Sequence, residues 1–352
     1  MKNGKSLVEL ATELERQKHN RKDFIANSSA LRLLSDEQDG SLMEIGSDVR
    51  LPVTSLCHEQ IADRLDIPRK YYQRLQSSNA NLFDANINHW LRKEPKDYLV
   101  RTLDDKSRAF LSNRYRPLDH SELAEVALPA LLKSGADVKS CEITERRMYL
   151  KAVTPAITAE VSPGDVVQAG VVISNSETGH GALSVQPLIY RLVCSNGMIA
   201  QDSSLRRNHI GAKLVAGDAW QELLSEQTLS LNDRAFWSTV QDVIANIFIN
   251  KDGFHKLVDR LRAAKSEEIK GEPIQVVELG AKKLGLNQQE QSSVLQHLLR
   301  EGDLTKWGFA NAITRTAQDV ESYDRSTELE SLGGQVIELN RSDWQTISTA
   351  GC

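Results

Sequence analysis

Between Arg191 and Lys213 the chain carries Arg191, Arg206, Arg207 and Lys213, together with His209, against one acid, Asp202. Ser195, Asn196, Gly197, Gln201, Ser203, Ser204, Asn208 and Gly211 fill the gaps. Cations set among hydroxyl, amide and open-backbone donors suit a phosphate backbone. Two further basic runs precede this one: Arg101, Lys106, Arg108, Arg114, Tyr115 and Arg116, then Arg146, Arg147, Tyr149 and Lys151. The candidate phosphate-binding residues are therefore Arg206, Arg207, Lys213 and His209, extended by Arg114, Arg116, Arg147 and Lys151. Tyr115, Tyr149 and Tyr190 are candidate platforms for base stacking. A second polar group, Asn175, His180, Arg191 and Asn196, offers amides and an imidazole for a small site. Strand alternation puts Arg191 on the face of Ile189 and Val193, so its guanidinium is expected to be partly buried and paired.

Catalytic spacings are missing. There is no Gly-x-x-x-x-Gly-Lys run, no Gly-x-Ser-x-Gly elbow and no His-Glu-x-x-His. Cys57-His58-Glu59 is compact, but adjacent helical side chains do not converge on one point. Gly179-His180-Gly181 presents one histidine from a loop, which a hairpin tip needs no activity to explain. Cys57, Cys141, Cys194 and Cys352 have neither disulfide nor zinc spacing and read as reduced thiols. No metal or cofactor is called for. The net charge is −5 and the pI near 6.0, so the bulk field does not attract nucleic acid; any such site must be a local basic patch. No apolar run has membrane length and the first residues lack a signal-peptide core, so the expectation is a cytoplasmic protein without membrane partners.

The elements that must position these residues follow from periodicity. Residues 5–34 read as a helix broken near Asn20, followed by a polar turn at Ser35–Gly40. Residues 54–76 read as a helical pair, capped by Thr54 or Ser55 and divided at Asp66-Ile67-Pro68. Its spacing resembles half of a helix-turn-helix, with Arg69, Lys70 and Arg74 on the second helix; close helix packing explains the same pattern. From Tyr98 the period becomes that of strands: a hairpin over 98–112, a helix over 121–133, strand pairs at 138–153, a strand at 166–174, a loop at 176–181 and a strand at 183–193. A long helix is expected from Asp218, a linker at 265–272, helices at 288–300 and 304–320, and a short strand at 335–339. The fold class is α+β, with a central, mainly antiparallel sheet of hairpins, flanking helices and a helical C-terminal region. The expected division is 1–50 helical, 51–96 a helical hairpin, 97–264 a central basic α+β unit, and 265–352 mostly helical.

Particular stretches carry a resemblance. Asn113-Arg114-Tyr115-Arg116-Pro117-Leu118, Ile173-Ser174-Asn175-Ser176-x-x-Gly179 and Tyr190-Arg191-Leu192-Val193-Cys194-Ser195-Asn196-Gly197 resemble the phage- and plasmid-associated family known as domain of unknown function 932. Trp307-Gly308-x-x-Asn311-Ala312-Ile313-Thr314 and Tyr323-Asp324-Arg325-Ser326 are similar to members carried on plasmids. The resemblance implies a mobile-element setting but no catalytic residues. The order of strands and helix is also similar, as a fold-level analogy, to phage single-strand annealing proteins of the Red-beta and Erf class. From these readings the expected function is binding of single-stranded DNA, with annealing in recombination and homo-oligomer assembly as its extension. The competing expectations are a nucleic-acid- or nucleotide-processing enzyme built on Asn175, His180, Asn196 and His209, and a host-interaction or anti-defence factor that binds protein.

Overall fold

The computed structural model describes residues 1–36, 40–200, 205–207 and 226–352. It is an α+β molecule with three antiparallel sheets among the described residues. The chain opens with α1 (Leu7–Asn20), started by a capping box in which Ser6 and Glu9 satisfy each other's backbone donors. The expected continuation of that helix is not formed. Residues 21–27 are strand β1 (Arg21–Asn27), and β2 (Leu31–Asp36), β3 (Gly40–Ile45) and β4 (Val49–Pro52) make a separate meander. The reason lies far along the chain: Phe24 pairs with Val100 and Ile25 with Leu99, so long-range pairing overrides the local apolar spacing.

The helical pair is present as α2 (Ser55–Arg64) and α3 (Arg69–Ser78), with Thr54 accepting from the Cys57 amide at 3.3 Å. A third helix, α4 (Ala80–Lys93), follows, capped by Asn79. Phe83, Ile87 and Leu91 recur every four residues and are buried, which fixes the inner face of α4. Its Asn88 amide accepts from Leu33 N and donates to Leu33 O, both at 2.8 Å, while Asp84 accepts from Ser35 N at 2.8 Å. These bonds staple α4 to the edge of β2. One core, containing Leu33, Met43, Ile61, Tyr72, Phe83, Val100 and Phe110, joins the meander, the three helices and the sheet β1–β5–β6. In that sheet β5 (Asp97–Leu103) and β6 (Lys106–Ser112) form the expected hairpin, turned at Asp104 and Asp105 with positive φ.

After α5 (His120–Lys133) comes the large sheet: β7 (Asp137–Ile143), β8 (Met148–Ser162), β9 (Asp165–Asn175), β10 (Leu183–Arg191) and β11 (Asn196–Ile199), in sequence order, with β12 (Leu205–Arg207) also paired to β10. The helix expected from Asp218 is described from Glu226, as α6 (Glu226–Ile249), and α7 (Lys251–Ser266) follows. Phe236, Val240, Ile244 and Phe248 of α6 join Val171, Ile173 and Val185 in the main core. The expected linker is instead tethered, with Ile269 N bonded to Leu304 O at 2.9 Å. The C-terminal part is helical: α8 (Pro273–Leu284), α9 (Gln288–Glu301), α10 (Lys306–Thr316), α11 (Tyr323–Glu338) and α12 (Arg341–Ser348). The strand expected at 335–339 lies mostly inside α11, whose Leu329, Leu332 and Val336 pack at helical spacing. Helix α11 crosses the large sheet so closely that a Cβ on Gly334 would lie 2.0 Å from the Ile199 carbonyl oxygen. No helix among the described residues is long and apolar enough to cross a membrane.

Candidate nucleic-acid interface

Among the described cations of the large sheet, Lys151 turns inward. Lys151, expected on a surface track, has no exposed side chain and is paired with Glu330, itself fully buried, at 2.6 Å. Its ammonium also lies 4.7 Å from the Tyr323 ring centre. This corrects the surface placement: a residue in the middle of β8, covered by α11, cannot meet a phosphate. Arg116 is ion-paired with Asp233, and Arg147 donates from Nε to the His180 carbonyl at 3.1 Å. Arg114 is exposed and also engaged. Tyr149 is buried with its hydroxyl on Asp324 at 2.7 Å, and Tyr115 donates to the Ser176 carbonyl at 2.9 Å; neither ring is an open platform. Tyr190 is half-buried against Val153, Val172 and Leu188. Arg206 and Arg207 lie on β12, facing Ser184 and Leu183 in register, and their side chains are outside the described set, as are His209 and Lys213 altogether.

The second polar group does not form one site. Asn175 closes β9 at one end, where its amide donates to Leu118 O at 2.6 Å and meets His120 Nδ1 at 3.1 Å. Asn196 lies beyond the other end, since Arg191, its partner in the β10–β11 register, stands opposite Val167. Eight residues of extended strand separate Val167 from Asn175, about 26 Å at the usual rise. His180 sits on the loop after β9, its Nδ1 2.9 Å from Thr178 O; burial lowers its pKa.

Both ends are structural. At the Asn175 end, Glu177 is ion-paired with Arg108, while its carboxylate accepts from the His120 amide at 2.6 Å. Arg101 is fully buried and binds Asp23, Asp119 and the Glu177 carbonyl. Burial alone would raise the Glu177 pKa; the neighbouring His120, Arg108 and Arg101 side chains together with the His120 amide overcome it and hold the carboxyl far below the usual range. At the other end, Arg191 pairs with Asp165 at 2.6 Å and Glu301 at 3.0 Å, as alternation predicted. Trp307 donates to the same Asp165 at 2.9 Å, and Asn196 donates to Thr314. The Arg191–Gly197 and Trp307–Thr314 blocks thus recognise each other, docking α10 onto the sheet.

Free cations gather elsewhere. Arg32, Arg64, Lys70, Arg74 and Arg92 are exposed, and none of them forms an ion pair among the described residues. Arg69, by contrast, is held by Asp63 and Glu59. Lys93 stands over the Trp90 ring at 4.4 Å from its centre. Trp90 is 38% exposed and Tyr71 46%, unusual for large aromatic rings in a folded chain. Two clefts lie beside α4. The first, of about 440 Å³, is lined by Arg64, Asp66, Tyr71, Asn86, Trp90 and Lys93 among others. The second, of about 780 Å³, is more open and includes Arg32, Asn81, His89, Arg92 and Lys93. Lys93 lines both. Their acids are partly occupied: Asp84 binds Ser35 and Glu94 binds Lys96 at 3.2 Å.

The family described as Domain of unknown function (DUF932) matches residues 109–344. The chain belongs to this family. No curated protein and no solved structure matches it significantly. The DUF932 segment contains the knot of Arg191 and Trp307 and the Asp119, His120, Asn175 and Glu177 part of the other, whose Asp23, Arg101 and Arg108 precede it, as does the α2–α4 face. Helix α4 is not among the elements expected from periodicity, because its residues sit between a recognisable helical pair and a strand. The signal was present: Asn79 as a cap, Phe83, Ile87 and Leu91 at fourfold spacing, and Trp90, Arg92 and Lys93 off that stripe. Among the described residues no group of three or more His, Cys, Asp or Glu is arranged to hold a metal.

Proposed function

We propose that the chain binds single-stranded nucleic acid on the α2–α4 face. One observation carries this reading: two clefts beside α4 combine Arg32, Arg64, Arg92 and Lys93, which form no ion pair among the described residues, with exposed Tyr71 and Trp90. Unpaired arginines and lysines follow a phosphate backbone, and exposed rings accept bases that a duplex would keep stacked. The modest excess of charge suits a protein of net charge −5, because the field is local. The observation supports binding; the arrangement offers nothing that calls for strand annealing or for a bond to be cut.

Fluorescence anisotropy with a labelled single-stranded oligonucleotide tests the reading. Affinity should fall as salt rises and should exceed that for the matching duplex. Replacing Arg64, Lys70, Arg92 and Lys93 together by alanine should weaken binding at least about tenfold at low salt and reduce the salt slope by roughly 0.7 for each phosphate no longer neutralised. Absence of salt-sensitive binding at low salt, or full binding by the fourfold variant, would overturn it.

A further inference from the structure

We infer that the trough between the large sheet and the α6–α7 elbow binds a medium-chain fatty carboxylate. The site is separate from the α2–α4 face, because its walls belong to the main core and not to the core beneath those helices. Along β9 the residues that face the main core are Val167, Ala169, Val171 and Ile173. Ala169 alone among these lacks a branched side chain, and it pairs in register with Ile189 of β10. The two helices part at Asn250, which caps α7 by accepting from the Gly253 amide at 3.1 Å. A cavity of about 530 Å³ lies between Ala169, Ile189, Val243, Ile247 and Leu257, a size ordinary for a small-ligand site. Val243, Ile247 and Leu257 are half-buried, so an apolar chain laid along them would take their remaining surface out of water.

The polar lining selects the head group. Among the described residues that line the cavity there are two amides, Asn246 and Asn250, two cations, Lys256 and Arg260, and no acid. Arg260 is held by Glu338 at 2.9 Å. Lys256, one turn before it on the same face of α7, forms no ion pair among the described residues, so its ammonium can pair with an incoming anion. The cap engages the Asn250 Oδ1 atom with Gly253 and leaves the Nδ2 protons for a ligand oxygen. A carboxylate accepts from both groups. An ammonium head would meet Lys256 with like charge, and an alcohol would forgo the charged hydrogen bond. The lining from Val243 to Asn250 on α6, and from Gly253 to Arg260 on α7, covers about 10 Å on each helix at the usual rise. Among the described lining residues the only aromatic ring is Phe254. An elongated aliphatic trough of this kind suits an unbranched chain better than a planar ring system.

The test is isothermal titration calorimetry of the full chain with decanoate, decanol and decyltrimethylammonium, each below its micellar concentration. The expected result is saturable binding of decanoate, with decanol at least about fivefold weaker and the ammonium weaker still. Lys256→Glu, a change at an exposed position, should weaken decanoate at least about tenfold and leave decanol within about twofold. Val243→Trp and, separately, Ile247→Trp fill the cavity from its half-buried wall and should abolish binding of both ligands. Circular dichroism of each variant confirms the fold. Absence of saturable binding by decanoate overturns the site. So does equal affinity for the three ligands, an unchanged preference in Lys256→Glu, or undiminished binding by a folded cavity-filling variant.

Discussion

Lys151 in the large sheet and Arg92 on α4 are both basic residues in helical or strand positions of ordinary sequence, and they have opposite surroundings. Lys151 is sealed under α11 against Glu330. Arg92 is exposed and forms no ion pair among the described residues. The same division separates Arg101, Arg108, Arg116 and Arg191 from Arg32, Arg64, Lys70 and Arg74. The first group neutralises carboxylates that the fold has buried wholly or in part. On the α2–α4 face the cations remain available. Among the described residues, density of basic residues along the sequence does not separate paired from unpaired cations; an acid contributed by a distant segment does.

This contrast can be broken most forcefully at Lys151. Lys151→Ala leaves the Glu330 carboxylate buried without its partner and should cost about 3–5 kcal/mol in urea denaturation. The double change Lys151→Met with Glu330→Leu should recover much of that loss, because an apolar pair needs no counter-charge. A small loss in the single variant would mean that the pair is not structural. Next in size is the pH response beneath the helical face. Burial pushes the His58 pKa down to about 4 from 6.5. The folded state therefore binds its proton more weakly than the unfolded chain. The stability contributed by neutral His58 is complete above pH 6.5 and is lost as pH falls towards 4, on the order of 3 kcal/mol in all. Comparing denaturation curves of the wild type and His58→Asn across that interval should show a shallower decline in the variant; parallel declines would refute the assignment.

Asn88→Ala should cost about 2 kcal/mol, since it strips Leu33 of partners for both backbone groups. It should also weaken oligonucleotide binding by loosening α4, an effect that anisotropy would read alongside the thermal midpoint. The smallest stability change belongs to Arg92→Ala, expected within about 0.5 kcal/mol of wild type. Its effect should show in oligonucleotide affinity alone. A large loss of stability would place Arg92 with the structural cations and erase the contrast.

Much of the sheet was legible because its signals are local. Strands β8, β9 and β10 alternate or run apolar between clear turn residues, and the 98–112 hairpin is announced by Asp104-Asp105. Strand β1 was not legible, because its partner β5 begins seventy residues beyond Asn27 and its own apolar content is slight. The role of Lys151 depends on Glu330, which is 179 residues away. Arg191 could be read as paired from the face it shares, though its partners Asp165 and Glu301 could not be named. The α2–α4 face escaped because an exposed, unpaired cation is defined by what is missing around it in space, which spacing along a chain does not record.

The staple between Asn88 and Leu33 has one more consequence. β2 ends its sheet, and a terminal strand ordinarily offers a ready seam to which another chain can add. Here a side-chain amide imitates a neighbouring strand at Leu33, and Asp84 occupies the next amide along that open edge, at Ser35. The seam is closed by the molecule itself. Growth of this sheet through β2 into aggregates or swapped dimers is blocked, so copies of the chain that associate must meet through some other surface, and the cost of that protection is carried by the very helix that presents Trp90 and Arg92.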